Sequence, residues 1–288
     1  MSIQKVCCPA GALALVFLSA ACAPSLAPGI VFPHQWPGKP GFDGNIDRIG
    51  IKGPSGIVFH PGRKTLFVVG DKGSIAELRK DGTPVFSQAL PGDLEGITVD
   101  PATGLLYIVV EGDDVILEFD PERRAVLRRF PINRAFGGNP EFLEKQRGRY
   151  DDGVESIAWV PNPSHREGGT FYIGNQWDPP VIVEVEVPLR SRPTGPAEAR
   201  IIRVLPTKIA DPGDMYFDAR TRRLNVVCDA DNILLEIALS GEIVAQYAFP
   251  GDTQEGLAQD DEGYIYLAQD VGGIYKLKDL RPAASRRR

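Results

Sequence analysis

Leu94-Glu95-Gly96-Ile97 opens a stretch of alternating apolar and polar residues, and the same phrase recurs four more times along the chain. The other copies are Pro54-Ser55-Gly56-Ile57, Val154-Glu155-Ser156-Ile157, Pro212-Gly213-Asp214-Met215 and Gln254-Glu255-Gly256-Leu257. From Gly56 the third residue of the phrase recurs after 40, 60, 58 and 42 residues, a basic unit of about 40 with added loop in two places. Within the second unit the pattern predicts four strands, Gly96 to Val99, Leu105 to Val110, Val115 to Phe119 and Ala125 to Phe130. A period of that length built from four short strands predicts an all-β, five-bladed β-propeller.

Turn chemistry separates the strands. Asp100-Pro101-Ala102-Thr103-Gly104 and Asp260-Asp261-Glu262-Gly263 suit the first turn of a unit, and Lys80-Asp81-Gly82 and Ser240-Gly241 the third. A helical pattern is almost absent, the exception being a short stretch from Pro140 to Arg147. Ala199 to Leu205 reads as the outer strand of the third unit rather than as a sixth blade. The last unit has only three strands, ending near Lys278. The segment Asn45 to Ile51 is therefore expected to complete it and close the ring.

The chain divides into four parts. Residues 1–22 carry Lys5, an apolar run from Ala10 to Ala21 and small residues before Cys22, the plan of an export signal with a lipobox-like end. Cys22 is the expected lipidation site, with ordinary cleavage and a free tail as the alternative. Residues 23–43 form a Pro- and Gly-rich tether, 44–280 the propeller, and 281–288 a basic tail expected to be disordered. Localisation follows from this: lipid-anchored in the cell envelope, with outer-membrane sorting suggested by Ala23, or else soluble in the periplasm or secreted. Downstream of the signal, Cys22 and Cys228 remain, and Cys228 closes an apolar strand as a small buried hydrophobe.

The 266 residues after Cys22 suffice for one large β domain, expected to be monomeric. A net charge of −6 argues against nucleic acid as a partner. The start of each first strand and the end of each second strand meet at one face of a propeller. That face collects Glu95, Glu155, Asp214 and Glu255 with Asp71, Glu111, Asp113, Asp114, Asp178, Asp229, Asp231 and Asp270, and Asp151 and Asp152 fall on the same side. The opposite face carries Arg63, Lys64, His165, Arg166, Arg220, Arg222 and Arg223.

Crowded carboxylates raise one another's pKa or recruit a cation, and an oxygen-only donor set selects Ca²⁺ before Mg²⁺. Glu95, Glu155, Glu255, Asp214 and Asp229 are the candidate ligands. Ordinary polar channel lining is the competing reading. Asn175, Gln176, Trp177 and Tyr150 would add contacts for a small molecule or a protein loop at this face.

The phrases Asp93-Leu94-Glu95-Gly96-Ile97, Gly153-Val154-Glu155-Ser156-Ile157-Ala158-Trp159, Asp211-Pro212-Gly213-Asp214-Met215 and Gln254-Glu255-Gly256-Leu257-Ala258 resemble the SdiA-regulated family of bacterial envelope proteins. So does Leu234-Leu235-Glu236-Ile237 with Ser240-Gly241-Glu242. The likeness spans Ile51 to Leu280 and implies a five-bladed propeller, distantly related to NHL repeats, with a calcium site. It implies no reaction.

The leading expectation is a non-enzymatic, calcium-binding module held at the envelope. The alternative is a Ca²⁺-dependent hydrolase of the lactonase or phytase type, with Glu155 or Asp229 as general base. His34 lies in the tether and His60 and His165 in turns at the far face, which removes a Ser-His-Asp arrangement from the acidic face. Lys72, Lys145, Arg147 and Arg149 are the few basic residues near that face, which weakens a phosphatase reading.

Overall fold

The computed structural model describes residues 44–143, 153–177, 179–192, 194–207, 209–248, 253–279 and 281. The expected export signal with Cys22, the expected tether, Lys145, Arg147, Arg149, Tyr150, Asp151, Asp152, Asp178 and residues 282–288 lie outside them. Nineteen strands and no helix occur among the described residues. Residues 140–143 are turn and bend, so no helix begins at Pro140.

The strands run in consecutive antiparallel meanders. The first unit holds β1 (Pro54–His60), β2 (Thr65–Gly70), β3 (Ser74–Arg79) and β4 (Pro84–Ala89). The second holds β5 (Asp93–Val99), β6 (Leu106–Glu111), β7 (Val115–Asp120) and β8 (Ala125–Asn133). In the third are β9 (Val154–Pro161), β10 (Gly169–Asn175), β11 (Val181–Glu186) and β12 (Ala199–Val204). In the fourth come β13 (Pro212–Asp218), β14 (Arg223–Cys228), β15 (Ile233–Ala238) and β16 (Ile243–Ala248). The last unit has β17 (Gln254–Gln259), β18 (Tyr264–Gln269) and β19 (Ile274–Lys278). β12 is the outer strand of the third unit, and it also pairs in parallel with β8 through Ala199–Ile132 and Arg200–Asn133, joining two units into one eight-stranded sheet.

Each hydrophobic cluster lies between two neighbouring units. Phe67, Val69 and Ile75 of the first pack on Leu94, Ile97 and Leu106 of the second. Tyr107 and Ile116 meet Trp159 and Phe171, Val160 and Tyr172 meet Met215 and Leu224, and Val227 and Leu234 meet Leu257 and Leu267. The series closes where Ile57, Phe59 and Val68 pack on Ala258, Tyr266 and Ala268. Each such side chain contributes roughly 1.5–3 kcal/mol on burial, so every unit is stabilised by its two neighbours and the ring coheres as a whole. β1, β2, β6 and β10 are buried along their length, whereas β8 alternates between exposed and buried, matching the tapering alternation of the sequence. The chain is an all-β propeller.

Closure uses an isolated bridge and not the full strand expected over Asn45 to Ile51. Asn45 bridges Tyr275, the Ile46 amide donates to the Ile274 carbonyl at 2.7 Å, and the Lys276 amide donates to Gly44. The Asp47 carboxylate then accepts from the amides of Ile49, Gly50 and Ile51, which turns the chain away and ends the pairing. Arg281 is also ordered: its side chain is 7% exposed, so the domain extends one residue past the boundary read from the sequence.

The third residue of the repeated phrase sits where inner strands approach most closely. A Cβ on Gly56 would lie 2.1 Å from the Glu95 carbonyl oxygen, and one on Gly96 2.8 Å from that of Glu155. Gly56→Ala is therefore expected to lower stability by about 1–3 kcal/mol in urea unfolding; an unchanged midpoint would show that the strands can part there.

Candidate functional site

The repeated phrase carries a β-bulge in every unit. Register shifts fall at Pro54/Gly56, Leu94/Ile97, Gly174/Asn175 against Ser156 and Val154, Pro212/Asp214 and Gln254/Gly256. A bulge inserts an unpaired residue and re-aims its side chain. Here the second residue of the phrase, Ser55, Glu95, Glu155, Gly213 or Glu255, is displaced at the mouth of the central channel. One residue beyond each second strand stand Asp71, Gln176, Asp229 and Asp270, with Glu111 at the matching place in the second unit. Just before the phrase come Gly53, Asp93, Gly153, Asp211 and Thr253. The amides of Asp71, Gln176 and Asp270 donate to the carbonyls of Gly53, Gly153 and Thr253, so these layers are tied together in the same way around the ring.

The tightest group is Asp93, Glu95 and Glu111, each offering a carboxylate oxygen within 4.8 Å of the others. Asp93 faces Glu111 across the β5–β6 ladder, and the bulge brings Glu95 to them. Burial, followed by the charges of Asp93, Glu255 and Glu111, pushes the Glu95 carboxyl well above its ordinary range. Glu155 is raised likewise by burial and then by Glu95, Glu111 and Glu255, and it hydrogen-bonds Glu111. Glu255 is raised to about 8 by burial and the charges of Asp229, Asp211 and Asp270. The mouth thus has two lobes: Asp93, Glu95, Glu111 and Glu155 on the second and third units, and Glu255 with Asp211, Asp229 and Asp270 on the fourth and fifth.

Asp214 occupies a different place. As the third residue of its phrase it lies at the close approach of inner strands, fully buried, and accepts from the amides of Met215 and Leu257 at 2.8 Å each. Burial raises its pKa, and the bonds from Leu257, Met215 and Ile57 oppose the rise. Its carboxylate ties β13 to β17. Asp229 accepts from the Gln254 amide at 2.9 Å, which places it in the second lobe. Asp93 and Asp211 belong to the mouth as much as the glutamates do, and Glu111, already on the acidic face by its strand end, joins the candidate ligands; the hairpin register, an acid paired with an acid across β5 and β6, was the available signal for Asp93.

Asp211 is held by Gln176 Nε2 at 2.7 Å and by the Ala230 amide at 3.1 Å. Asn175 donates to the carbonyls of Trp177 and Pro179, leaving Trp177 45% exposed on the rim. At the far face the basic turn residues are paired: Arg63 with Glu77 and Glu122, Lys64 with Asp261, Arg166 with Glu186, Arg220 with Asp218 and Arg223 with Glu236. That face is less bare in charge than its sequence suggests. His60 is buried, its Nε2 3.0 Å from the Gly104 carbonyl, and Cys228 is buried with its thiol pKa pushed up by desolvation.

Residues 49–221 match the protein family described as Phytase-like, esterase-like activity of phytase. Among solved structures, glutaminyl cyclase of Myxococcus xanthus superposes with a TM-score of 0.54 at 13% identity, covering 79% of this chain and 90% of that one. The streptogramin B lyase structure aligns with a TM-score of 0.43 at 14% identity, over 83% of this chain and 72% of that one. The first likeness is one of fold, in accord with the propeller.

Proposed function

From the premise that this chain belongs to the phytase-like family, described by its esterase-like activity, we propose that it hydrolyses esters at the acidic mouth of its propeller. The observation that carries this reading is the close group of half-buried Asp93 with buried Glu95 and Glu111, with Glu155 hydrogen-bonded to it. Such a donor set fits a hard divalent cation: it is all oxygen, closely spaced and internally repulsive, and a dication relieves that repulsion. Asp93, Glu95 and Glu111 would hold it, with Glu155 beside them. Bound there, it would polarise an ester carbonyl.

The residues themselves divide the remaining work. Glu255, with a pKa of about 8, is poised to take a proton from water on the opposite lobe and return it to the departing alcohol. In the balanced step, water adds its oxygen to the acyl carbon, the carbon–oxygen ester bond breaks, and acid and alcohol leave. Burial first, and then the charges of Asp229 and Asp211, keep Glu255 in this range. Asp214 takes no part, since its oxygens are engaged by backbone amides.

The test is turnover of p-nitrophenyl esters and phosphate, first in EDTA and then with Ca²⁺ or Mg²⁺ added. Cation-dependent turnover is expected, falling by about a hundredfold in Glu95→Gln. Absence of turnover with every ester, together with a Ca²⁺-dependent rise in melting temperature, would return the site to a binding role. The N-terminal sequence supports a further part of this proposal, anchoring of the domain in the envelope through a lipid on Cys22. Mass spectrometry of the mature N-terminus decides between a lipidated Cys22 and a free tail.

A further inference from the structure

Resting on the reading of the mouth as an ester-hydrolysing site, we propose that its substrate is an uncharged carboxylic ester whose acyl chain lies on Trp177, and not a phosphate monoester or other polyanion. Two independent features of the rim lead there. One is charge. Among the described residues the mouth gathers Asp71, Asp93, Glu95, Glu111, Glu155, Asp211, Asp229, Glu255 and Asp270. The cations beside them are Lys72, already paired with Asp71, and Lys52, exposed one residue before Gly53, so the acids outnumber them. Arg129 on the outer strand β8 and Arg134 just beyond its end face Asp113 and Asp114.

The segment 144–152, outside the described residues, does not alter the balance. It carries Lys145, Arg147 and Arg149 against Glu144, Asp151 and Asp152, a formal sum of zero. One divalent cation offsets two of the carboxylate charges, and a dianionic phosphate approaching the remainder is repelled. An uncharged ester meets no such barrier.

The second feature is apolar surface. Among the described residues, seven large hydrophobic side chains are exposed. Val85, Leu127, Ile202 and Val244 lie on the outer strands β4, β8, β12 and β16, and Ile49 lies in the N-terminal segment. The other two, Trp177 at 45% and Val271 at 68% exposure, immediately follow Gln176 and Asp270 and so stand on the rim. Ala230, exposed at the matching position of the fourth unit, lies between them in the ring order. Exposed apolar side chains, interspersed with Asp231 and Asp270, therefore border the lobe around Glu255, opposite Asp93, Glu95 and Glu111. An ester with its carbonyl between the lobes would lay its acyl chain across this arc, where an aromatic face supplies rigid contact area.

The experiment compares p-nitrophenyl acetate, p-nitrophenyl butyrate and p-nitrophenyl phosphate in saturating Ca²⁺, for the wild type and Trp177→Ala. Both carboxylic esters are expected to exceed the phosphate by at least tenfold in kcat/KM. In Trp177→Ala the KM for butyrate should rise roughly fourfold, the worth of about one buried methylene, with that for acetate unchanged. Preference for the phosphate, or an unaltered chain-length preference in the variant, overturns the proposal. If no ester is turned over, the hydrolase reading fails separately, and calorimetry decides this one. Binding of N-phenylbutanamide that Trp177→Ala abolishes supports it; binding of phenyl phosphate instead, or of neither, overturns it.

Discussion

Replacing Arg281 with alanine is expected to lower stability by about 3–5 kcal/mol, the cost of leaving buried partners without their cation. The guanidinium reaches from the end of the fifth unit onto the fourth. It donates to the Tyr216 hydroxyl at 2.9 Å, to Asp279 at 2.9 Å, to Glu236 Oε1 at 3.2 Å and to the Asn225 side-chain oxygen. Asp279 in turn accepts from Gln259 at 2.7 Å. The Asn45 bridge closes the fifth unit at its outermost strand, β19, so losing Arg281 loosens a separate seam, the contact between the fourth and fifth units. Urea unfolding of Arg281→Ala and of a chain ending at Leu280 should show the same loss. A midpoint within 0.5 kcal/mol of wild type in both would mean that the apolar contacts of Leu257 and Leu267 with Val227 and Leu234 hold the ring without the latch.

The cation-free protein is expected to lose stability steadily as pH rises from about 5 to about 8. Glu95, Glu155 and Glu255 all have raised carboxyl pKa values in the fold, so the folded state binds protons that the unfolded chain releases. Their contribution is fully present below the ordinary value of 4.5. It is lost as pH climbs, the loss from Glu255 being complete above about 8. Each group contributes at most about 1.4 kcal/mol per pH unit within its window. Thermal unfolding in EDTA across this range, for the wild type and Glu95→Gln/Glu155→Gln/Glu255→Gln, checks the slope. The triple variant should be flatter and more stable at pH 8, because neutral amides replace charges that repel. Stability that rises with pH in the wild type would show that these carboxyls are ionised and paired in the fold.

The two predictions concern features that differ in how readable they were. The ring of acids at the mouth could be seen in the phrases themselves, because the start of one strand and the end of the next meet at the same face by topology alone. Asp93 entered the group, and Glu111 became its close partner, only through the β5–β6 register and its bulge, which a pattern of period two does not report. Asp214 looked equivalent to the glutamates, yet a shift of one place along the phrase carries it from the mouth to the seam between strands, where amides consume it.

A second repeat, of ion pairs, is half hidden in the sequence. Glu77, Glu118, Glu184 and Glu236 each hold the fourth position of a third strand, and each is met by an arginine from a different place in its unit or beyond it: Arg63, Arg128, Arg203, and Arg223 with Arg281. In the last unit Lys276 stands opposite Tyr266 instead. The partners sit at no constant spacing, so only folding pairs them.

What the linear sequence determined, then, was everything local: strand alternation, turn residues, the period of the unit and the identity of the face that would be acidic. Short-range sterics and the burial of one side of each strand are sufficient for that. The tertiary structure decided which carboxylates share a site, which are spent on amides, and that a C-terminal arginine belongs to the ring and not to the tail. Those outcomes depend on distances between residues far apart in the chain, and such distances exist only once the units have closed on one another.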